Sequence, residues 1–83
     1  MSLLTGTITV HGREPAESAV VEVLNASGDV LDQVQVDHGG RYRYHLGAGM
    51  WTLRVWDAQG HRGRAEVQLG EEDKVFDLDL DDG

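Results

Sequence analysis

Apolar and polar residues alternate with a period of two along most of this chain, and this alternation is the strongest constraint on its fold. In the run from Arg41 to His45, both tyrosines fall on one face and the basic side chains fall on the other. No stretch shows the i, i+3, i+4, i+7 spacing of an amphipathic helix. The pattern therefore predicts an all-β protein.

Seven strands are predicted, separated by turns rich in Gly, Asn and Asp. They lie near residues 4–10, 19–24, 30–36, 41–45, 51–56, 64–69 and 75–80. Each strand offers only one apolar face, so two sheets must close on each other to bury it. The expected architecture is a small antiparallel β-sandwich.

The predicted core consists of the inward side chains of these strands. They are Ile8, Val10, Ala19, Val21, Val23, Tyr42, Tyr44, Trp51, Leu53, Val55, Ala65, Val67, Leu69, Phe76, Leu78 and Leu80. A core of this size leaves a small margin of stability. We therefore expect the chain to form a homodimer or to attach to a partner.

The chain has 83 residues, no cysteine and a net charge of −8. This length suits one domain, predicted as residues 1–83 with its core at about 5–80 and a frayed acidic tail at 81–83. Without cysteine there is no disulfide, thiolate nucleophile or Cys-based metal site. Strong acidity argues against nucleic acid or an anionic membrane as a partner, because both require a positive footprint.

The N-terminus lacks the order of basic, apolar and small-residue regions that marks a signal peptide. No apolar stretch approaches the roughly 18 residues that a membrane-spanning helix needs. We therefore expect a cytoplasmic protein, or a secreted one if the sequence is part of a longer chain.

Basic residues are concentrated in the middle of the chain, where 41–64 contains five arginines and one acid. If the fourth and fifth strands share a sheet, their outward side chains form one cationic surface around an exposed indole. This candidate binding site consists of Arg41, Arg43, His45, Arg54 and Trp56. Such a surface suits an acidic protein, an anionic ligand or a stacked sugar. Alternatively, the arginine stems cover Trp56 and pair with Asp57 or Glu66 on an ordinary solvated face.

The remaining titratable residues favour structural interpretations, and no catalytic residue, metal site or cofactor is predicted. The four histidines lack a spacing that puts two ligands on one face, so they are expected to be scattered over the surface. They are His11, His38, His45 and His61. Alternating aspartates at 77, 79, 81 and 82 fit the solvated face of an edge strand better than a calcium loop.

Three segments together resemble the carboxypeptidase regulatory-like domains of the transthyretin-like (prealbumin-like) superfamily. They are Gly6 to Val10, Ser18 to Leu24 before a glycine turn, and Asp37 to Tyr44 followed by Gly49 to Val55. The Gly-x-Trp-Thr-Leu-Arg form of the last segment is especially similar to a group of small actinobacterial proteins. This resemblance covers residues 5–80 and implies a seven-stranded Greek-key β-sandwich.

The motif residues that carry this resemblance are structural, so it implies a fold and not a chemistry. Hydroxyisourate hydrolases of the same superfamily carry an N-terminal histidine motif and a C-terminal Tyr-Arg-Gly-Ser. This chain instead ends Asp79-Leu80-Asp81-Asp82-Gly83. The sequence therefore lacks the C-terminal motif on which a hydrolase interpretation would depend.

We expect a non-catalytic binding or accessory module that recognises a protein through the candidate surface. Nearly all apolar residues are needed for one small core, which leaves function to the surface and loops. A structural spacer of a larger protein and a carbohydrate-binding module are the alternatives. A spacer needs none of the surface residues, a sugar binder needs Trp56 but not the arginines, and a protein-binding face needs both.

Overall fold

The computed structural model describes residues 2–82, which form nine β-strands and no helix. The strands are β1 (Ser2–Val10), β2 (Glu14–Pro15), β3 (Val20–Leu24), β4 (Val30–Gln35), β5 (Arg41–Leu46), β6 (Gly49–Trp56), β7 (His61–Leu69), β8 (Lys74–Val75) and β9 (Leu78–Asp82). Seven of them have five or more residues, and these seven correspond to the predicted strands. The all-β prediction is confirmed. Within the described residues, no helix is long and apolar enough to cross a membrane.

The strands form two layers that join along one side. A small sheet contains β5, β1 and β8, with β2 beside the end of β1. A large sheet has the order β4-β3-β6-β7. Strand β9 pairs with β1 on one side and with β7 on the other, so the two layers are parts of one curled sheet that wraps around the core.

Two of the strand pairings are parallel, whereas the prediction was wholly antiparallel. Strand β1 runs parallel to both β8 and β9. A parallel pair needs a long connection between its members. Here the connection is most of the chain, so the first and last strands meet only after the intervening strands have crossed between the layers.

The core follows the predicted faces closely. Most predicted core residues are buried, and Tyr44, Trp51, Phe76 and Leu78 are partly buried against the same cluster. Ala65 is only half-buried. The prediction missed further buried side chains at strand ends and in connections: Leu4, Ala16, Leu24, Val36 and Leu46.

Three turns share one local sequence, which is an Asn or Asp followed three residues later by Gly. In each turn the first residue's Oδ1 accepts backbone N–H groups two and four residues ahead, at 2.8–3.0 Å. In each, the glycine has a positive φ, at 85°, 75° and 90° for Gly28, Gly40 and Gly60. The side-chain acceptor and the left-handed glycine set the geometry of these turns. The first and third close the hairpins β3–β4 and β6–β7, whereas the second carries the chain from β4 in the large sheet to β5 in the small sheet.

Strand β9, which contains three of the four aspartates predicted to lie on an edge strand, is not an edge strand, so that part of the prediction was wrong, although Asp77, Asp79 and Asp81 are exposed. Strand β9 lies between β1 and β7, which gives it a neighbour on both sides. The Oδ1 atoms of Asp73 and Asp77 accept the backbone N–H groups of Leu3 and Thr7, and Asp79 accepts from the Thr9 hydroxyl. These carboxylates satisfy donors of β1 where the ladder is interrupted.

The predicted frayed tail is also corrected. Asp81 and Asp82 belong to β9, where they pair with Arg62 and His61 of β7. Gly83 lies outside the described residues. The tail is ordered because the β7 edge would otherwise present unpaired backbone groups.

Acid should destabilise the fold below about pH 4. The pKa values of Glu22, Asp32, Asp37, Asp57 and Asp79 all lie below their ordinary values. A carboxyl with a depressed pKa stabilises the fold above its unfolded pKa, near 4, and loses that contribution as the pH falls through the folded pKa. Thermal melts should therefore show a constant Tm between about pH 5 and 7 and a falling one below.

The Asp37→Asn variant is a matched test of this pH dependence. The hydrogen bond from the Arg41 amide, helped by the one from Gly39, lowers the pKa of Asp37. Asn25 performs the same acceptor role in its own turn without a titratable group. The variant should fold and lose less Tm between pH 7 and pH 3 than the wild type. An equal loss in both proteins would contradict the assignment.

Candidate functional site

The five predicted site residues lie on two separate surfaces. Arg41, Arg43 and His45 belong to β5, whereas Arg54 and Trp56 belong to β6. Strand β5 pairs with β1 in the small sheet, and β6 pairs with β3 and β7 in the large sheet. The expected single face therefore does not form, because the chain crosses from the small sheet to the large sheet between β5 and β6.

Arg41, Arg43 and His45, which we call the β5 group, face outward from the small sheet. Arg41, Arg43 and His45 are exposed and stand opposite Thr7, Thr5 and Leu3 of β1. A shallow groove of about 630 Å³ runs along this surface and is also lined by Val75 and Asp77. Cationic, hydroxyl, apolar and carboxylate side chains all line this groove. The surface therefore has no single charge character.

The β6 group is extended by two residues of β7 that the sequence analysis did not include. Arg64 stands directly opposite Arg54, and Arg62 stands directly opposite Trp56. We call these four residues, Arg54, Trp56, Arg62 and Arg64, the cationic face. They line a groove of about 490 Å³ along the β6–β7 hairpin. The sequence does predict the turn at Asp57–Gly60. Pairing the residues on either side of that turn as a hairpin would have placed Arg62 and Arg64 opposite Trp56 and Arg54.

Only one arginine of the cationic face is neutralised within the described residues. Arg54 forms an ion pair with the buried carboxylate of Glu22, its Nε donating to Oε1 at 2.8 Å. Gln33 donates to the other oxygen, and hydrogen bonds from Gln33 and Arg54 lower the pKa of Glu22. In the described part of the chain, Arg62 and Arg64 form no ion pair. Two like charges directly opposite each other on neighbouring strands are destabilising.

Two of the four histidines meet at the end of the β6–β7 hairpin, so they are not scattered as expected. The rings of His11 and His61 are in edge-to-face contact, with centroids 5.6 Å apart. His61 Nδ1 lies 2.6 Å from Oδ2 of Asp57, a nearly buried carboxylate. Burial raises the pKa of Asp57, but hydrogen bonds from the His61 ring and amide and from Gln59 outweigh it, so the pKa lies below its ordinary value.

This histidine cluster has an oriented imidazole but no adjacent nucleophile among the described residues. Ser18 lies nearby, yet its hydroxyl contacts Gln59 Oε1 and accepts the Ala58 N–H. A serine nucleophile would need a hydrogen bond to the imidazole base. No group of three His, Asp or Glu side chains in residues 2–82 is arranged to hold a metal ion. Hydrogen bonds to Asp57 from the Gln59 amide, the His61 amide and the His61 ring fix the hairpin turn.

Comparison with known families decides the classification. The family model described as "Protein of unknown function (DUF1416)" matches residues 1–80. The chain belongs to the DUF1416 family. Among curated proteins, none matches this DUF1416 chain.

Solved structures similar to this DUF1416 chain show its fold class. The 5-hydroxyisourate hydrolase of Klebsiella pneumoniae matches with a TM-score of 0.75 at 20% identity, covering 100% of this chain and 92% of the hydrolase. A DUF3823 protein from Bacteroides ovatus matches with a TM-score of 0.73 at 16% identity, over 96% of this chain and 45% of its own. Another from Parabacteroides merdae has a TM-score of 0.69 and 19% identity, over 95% and 45%. The DUF1416 chain therefore has the transthyretin-like fold.

Proposed function

We propose that this DUF1416 protein is a non-catalytic binding module that recognises an acidic surface of a polypeptide through its cationic face. The observation that supports this proposal is the in-register grouping of Arg54, Arg64, Arg62 and Trp56 on two adjacent strands. These three arginines and one tryptophan occupy neighbouring positions on one sheet face of a chain whose net charge is −8, which supports the proposal.

The energetics of the cationic face favour an anionic partner. In the free protein, Arg54 and Arg64 repel each other across the strands, and Glu22 compensates only the first of them. Carboxylates of a partner would relieve this repulsion and accept the paired N–H groups of guanidinium. Trp56, half-buried beside them, adds apolar area and a cation–π surface at low entropic cost.

The binding test uses two variants and a charge-matched control. Proteins captured from native cytosol by the wild type are identified, purified and titrated against each variant. Trp56→Ala and Arg64→Glu should each weaken binding by about 30-fold, the effect of a central interface residue. Arg43→Glu, on the outer face of the other sheet, should bind as the wild type does.

The variants also separate the alternatives. Loss with Trp56→Ala but not with Arg64→Glu would indicate a stacked sugar. Loss with Arg43→Glu alone would move the site to the β5 group. If the wild type binds no polypeptide, the proposed function fails and a structural spacer is favoured.

We also propose that the DUF1416 family lies close to the carboxypeptidase regulatory-like domains and includes the small actinobacterial proteins that the sequence resembles. The supporting residues are the Asp37–Gly40 turn, the tyrosines at 42 and 44 and the Gly49-Met50-Trp51 segment. In the structure they form the β4–β5 turn, the inward positions of β5 and the start of β6. A sequence profile of the regulatory-like domains should align to these same positions.

A further inference from the structure

Charges on the outer face of the large sheet change sign along β7. The outward side chains of β7 follow the order Arg62, Arg64, Glu66, Gln68, and all four are exposed. The positive half lies next to the β6–β7 turn, and the negative half lies toward the other end of the strand. The two central positions, Arg64 and Glu66, carry opposite charges.

The outward side chains of β6 also differ between its two ends. Opposite the β7 residues stand Trp56, Arg54, Thr52 and Met50 in turn. Trp56 is half-buried, and Met50 is 42% exposed. An aromatic ring therefore lies at one end of the face and an exposed thioether at the other.

Together these two rows are complementary to their own reversed copy. Two copies can face each other through this sheet, related by a two-fold axis that lies between them and runs perpendicular to the strands. In this arrangement β7 lies over β7 and β6 lies over β6, with the strands of the two copies running in opposite directions. Arg64 then faces Glu66 of the second copy, and Trp56 faces Met50 of the second copy. Both contacts occur twice, as an isologous interface requires.

Glu66 is the acid on the outward row of β7, whereas four other acids near β1 and Arg54 are already engaged. The carboxylates of Asp73, Asp77 and Asp79 already accept hydrogen bonds from residues 3 to 12 of the same chain. Glu22 is buried under Arg54. Glu66 is exposed and forms no ion pair within the described residues, so it remains available to an arginine of another molecule.

We infer that the partner of the cationic face is a second copy of this chain, docked face to face through the outer side of the large sheet in a two-fold dimer. This inference rests on the proposed function, because it names the polypeptide that the cationic face binds. Charge complementarity joins Arg64 to Glu66, and a sulfur–aromatic contact joins Met50 to Trp56.

The size of the face is sufficient for a weak but specific dimer. Four strands about 4.8 Å apart, with about seven residues each, give roughly 500 Å² per copy, or about 1,000 Å² in total. Specific interfaces begin near this size, and those at the lower end are transient. Self-association should therefore appear at micromolar to millimolar concentrations and weaken as salt screens the ion pairs.

The test is a charge exchange measured by sedimentation equilibrium of the full chain, whose monomer mass is 9.1 kDa. Arg64→Glu places two glutamates in contact, and Glu66→Arg places two arginines in contact. Each single variant should weaken the dimer by at least about tenfold, because the repulsion occurs twice by symmetry. The double variant Arg64→Glu/Glu66→Arg should restore self-association to the wild-type level.

Controls and contrary outcomes are specific to this arrangement. Arg43→Glu should dimerise as the wild type does, and far-UV circular dichroism should show the same β-structure in all variants. A wild type that stays monomeric to millimolar concentration would overturn the inference, as would a double variant that remains monomeric. In either case a different acidic protein that binds wild type but not Arg64→Glu would leave the proposed function intact.

Discussion

Replacing Gly6 with alanine should remove more than half of the free energy of unfolding. A Cβ atom at this position of β1 would lie 1.8 Å from the carbonyl oxygen of Phe76 and 2.8 Å from Cε1 of Tyr42. The first contact is with backbone, so side-chain rotation cannot relieve it. The same carbonyl accepts the hydrogen bond of the Tyr42 hydroxyl, and Phe76 N–H donates to Thr5. Relief of the clash would break both bonds and separate β1 from the segment joining β8 to β9.

We expect Gly6→Ala to cost more than about 3 kcal/mol, above the usual range for overpacking, in a domain whose total stability is on the order of 5 kcal/mol. Urea unfolding followed by tryptophan fluorescence measures this cost. Gly47→Ala is the control, since a Cβ there meets nothing within 4 Å and its φ is not positive. A Gly6→Ala protein as stable as Gly47→Ala would show that β1 does not approach Phe76 this closely.

Gly40→Ala should have the second-largest effect on stability. It should lower the free energy of unfolding by more than Gly28→Ala or Gly60→Ala, the same substitution in the other two turns of this sequence. All three turn glycines have positive φ, which costs an alanine about 1–2 kcal/mol. At Gly40 the added Cβ would also lie 2.5 Å from the Ile8 carbonyl oxygen, whereas at Gly28 and Gly60 it meets nothing within 4 Å. Gly40 also accepts the Ile8 N–H, so the turn is anchored on β1.

The three alanine variants form a matched series. Gly28→Ala and Gly60→Ala should each lose about 1–2 kcal/mol in the free energy of unfolding, and Gly40→Ala should lose about 3 kcal/mol or more. The excess measures the steric contacts of the added Cβ with Ile8, Ala16 and Pro15. Equal losses at all three positions would indicate that backbone conformation accounts for the whole effect.

Strands and turns were predictable because their signals are local. The alternation in β5 and β6 shows which side chains are buried, and an Asp or Asn three residues before Gly marks a turn. Burial at Leu4 and Leu46 was missed because these residues lie at the limits of the predicted strands, where alternation has too few neighbours to be recognised. The Oδ1 acceptors of Asp73 and Asp77 were missed because their partners lie about 70 residues away.

Sheet assignment could not be predicted, and this is why the candidate site was divided. A period of two distinguishes the two faces of a strand but carries no information about which strands are neighbours. Arg43 and Arg54 are close in sequence and lie on different sheets, whereas Arg54 and Arg64 are in register across one hairpin. The five predicted residues therefore divide into Arg41, Arg43 and His45 on β5 and Arg54 and Trp56 on β6.

The parallel pairing of β1 with β9 has a consequence for how the chain folds during synthesis. The Ile8–Val10 end of β1 forms its ladder with Leu78, Asp79 and Leu80, about 70 residues further along the chain. Contacts this distant in sequence slow folding, because the loop must close before they contribute. While the ribosome is still translating, the Ser2–Thr7 part of β1 can already pair with β5, but residues 8–10 have no β9 neighbour until residues 78–80 have been made. Nascent chains of this protein should therefore be prone to aggregate through that end of β1, and a chaperone should reduce this aggregation.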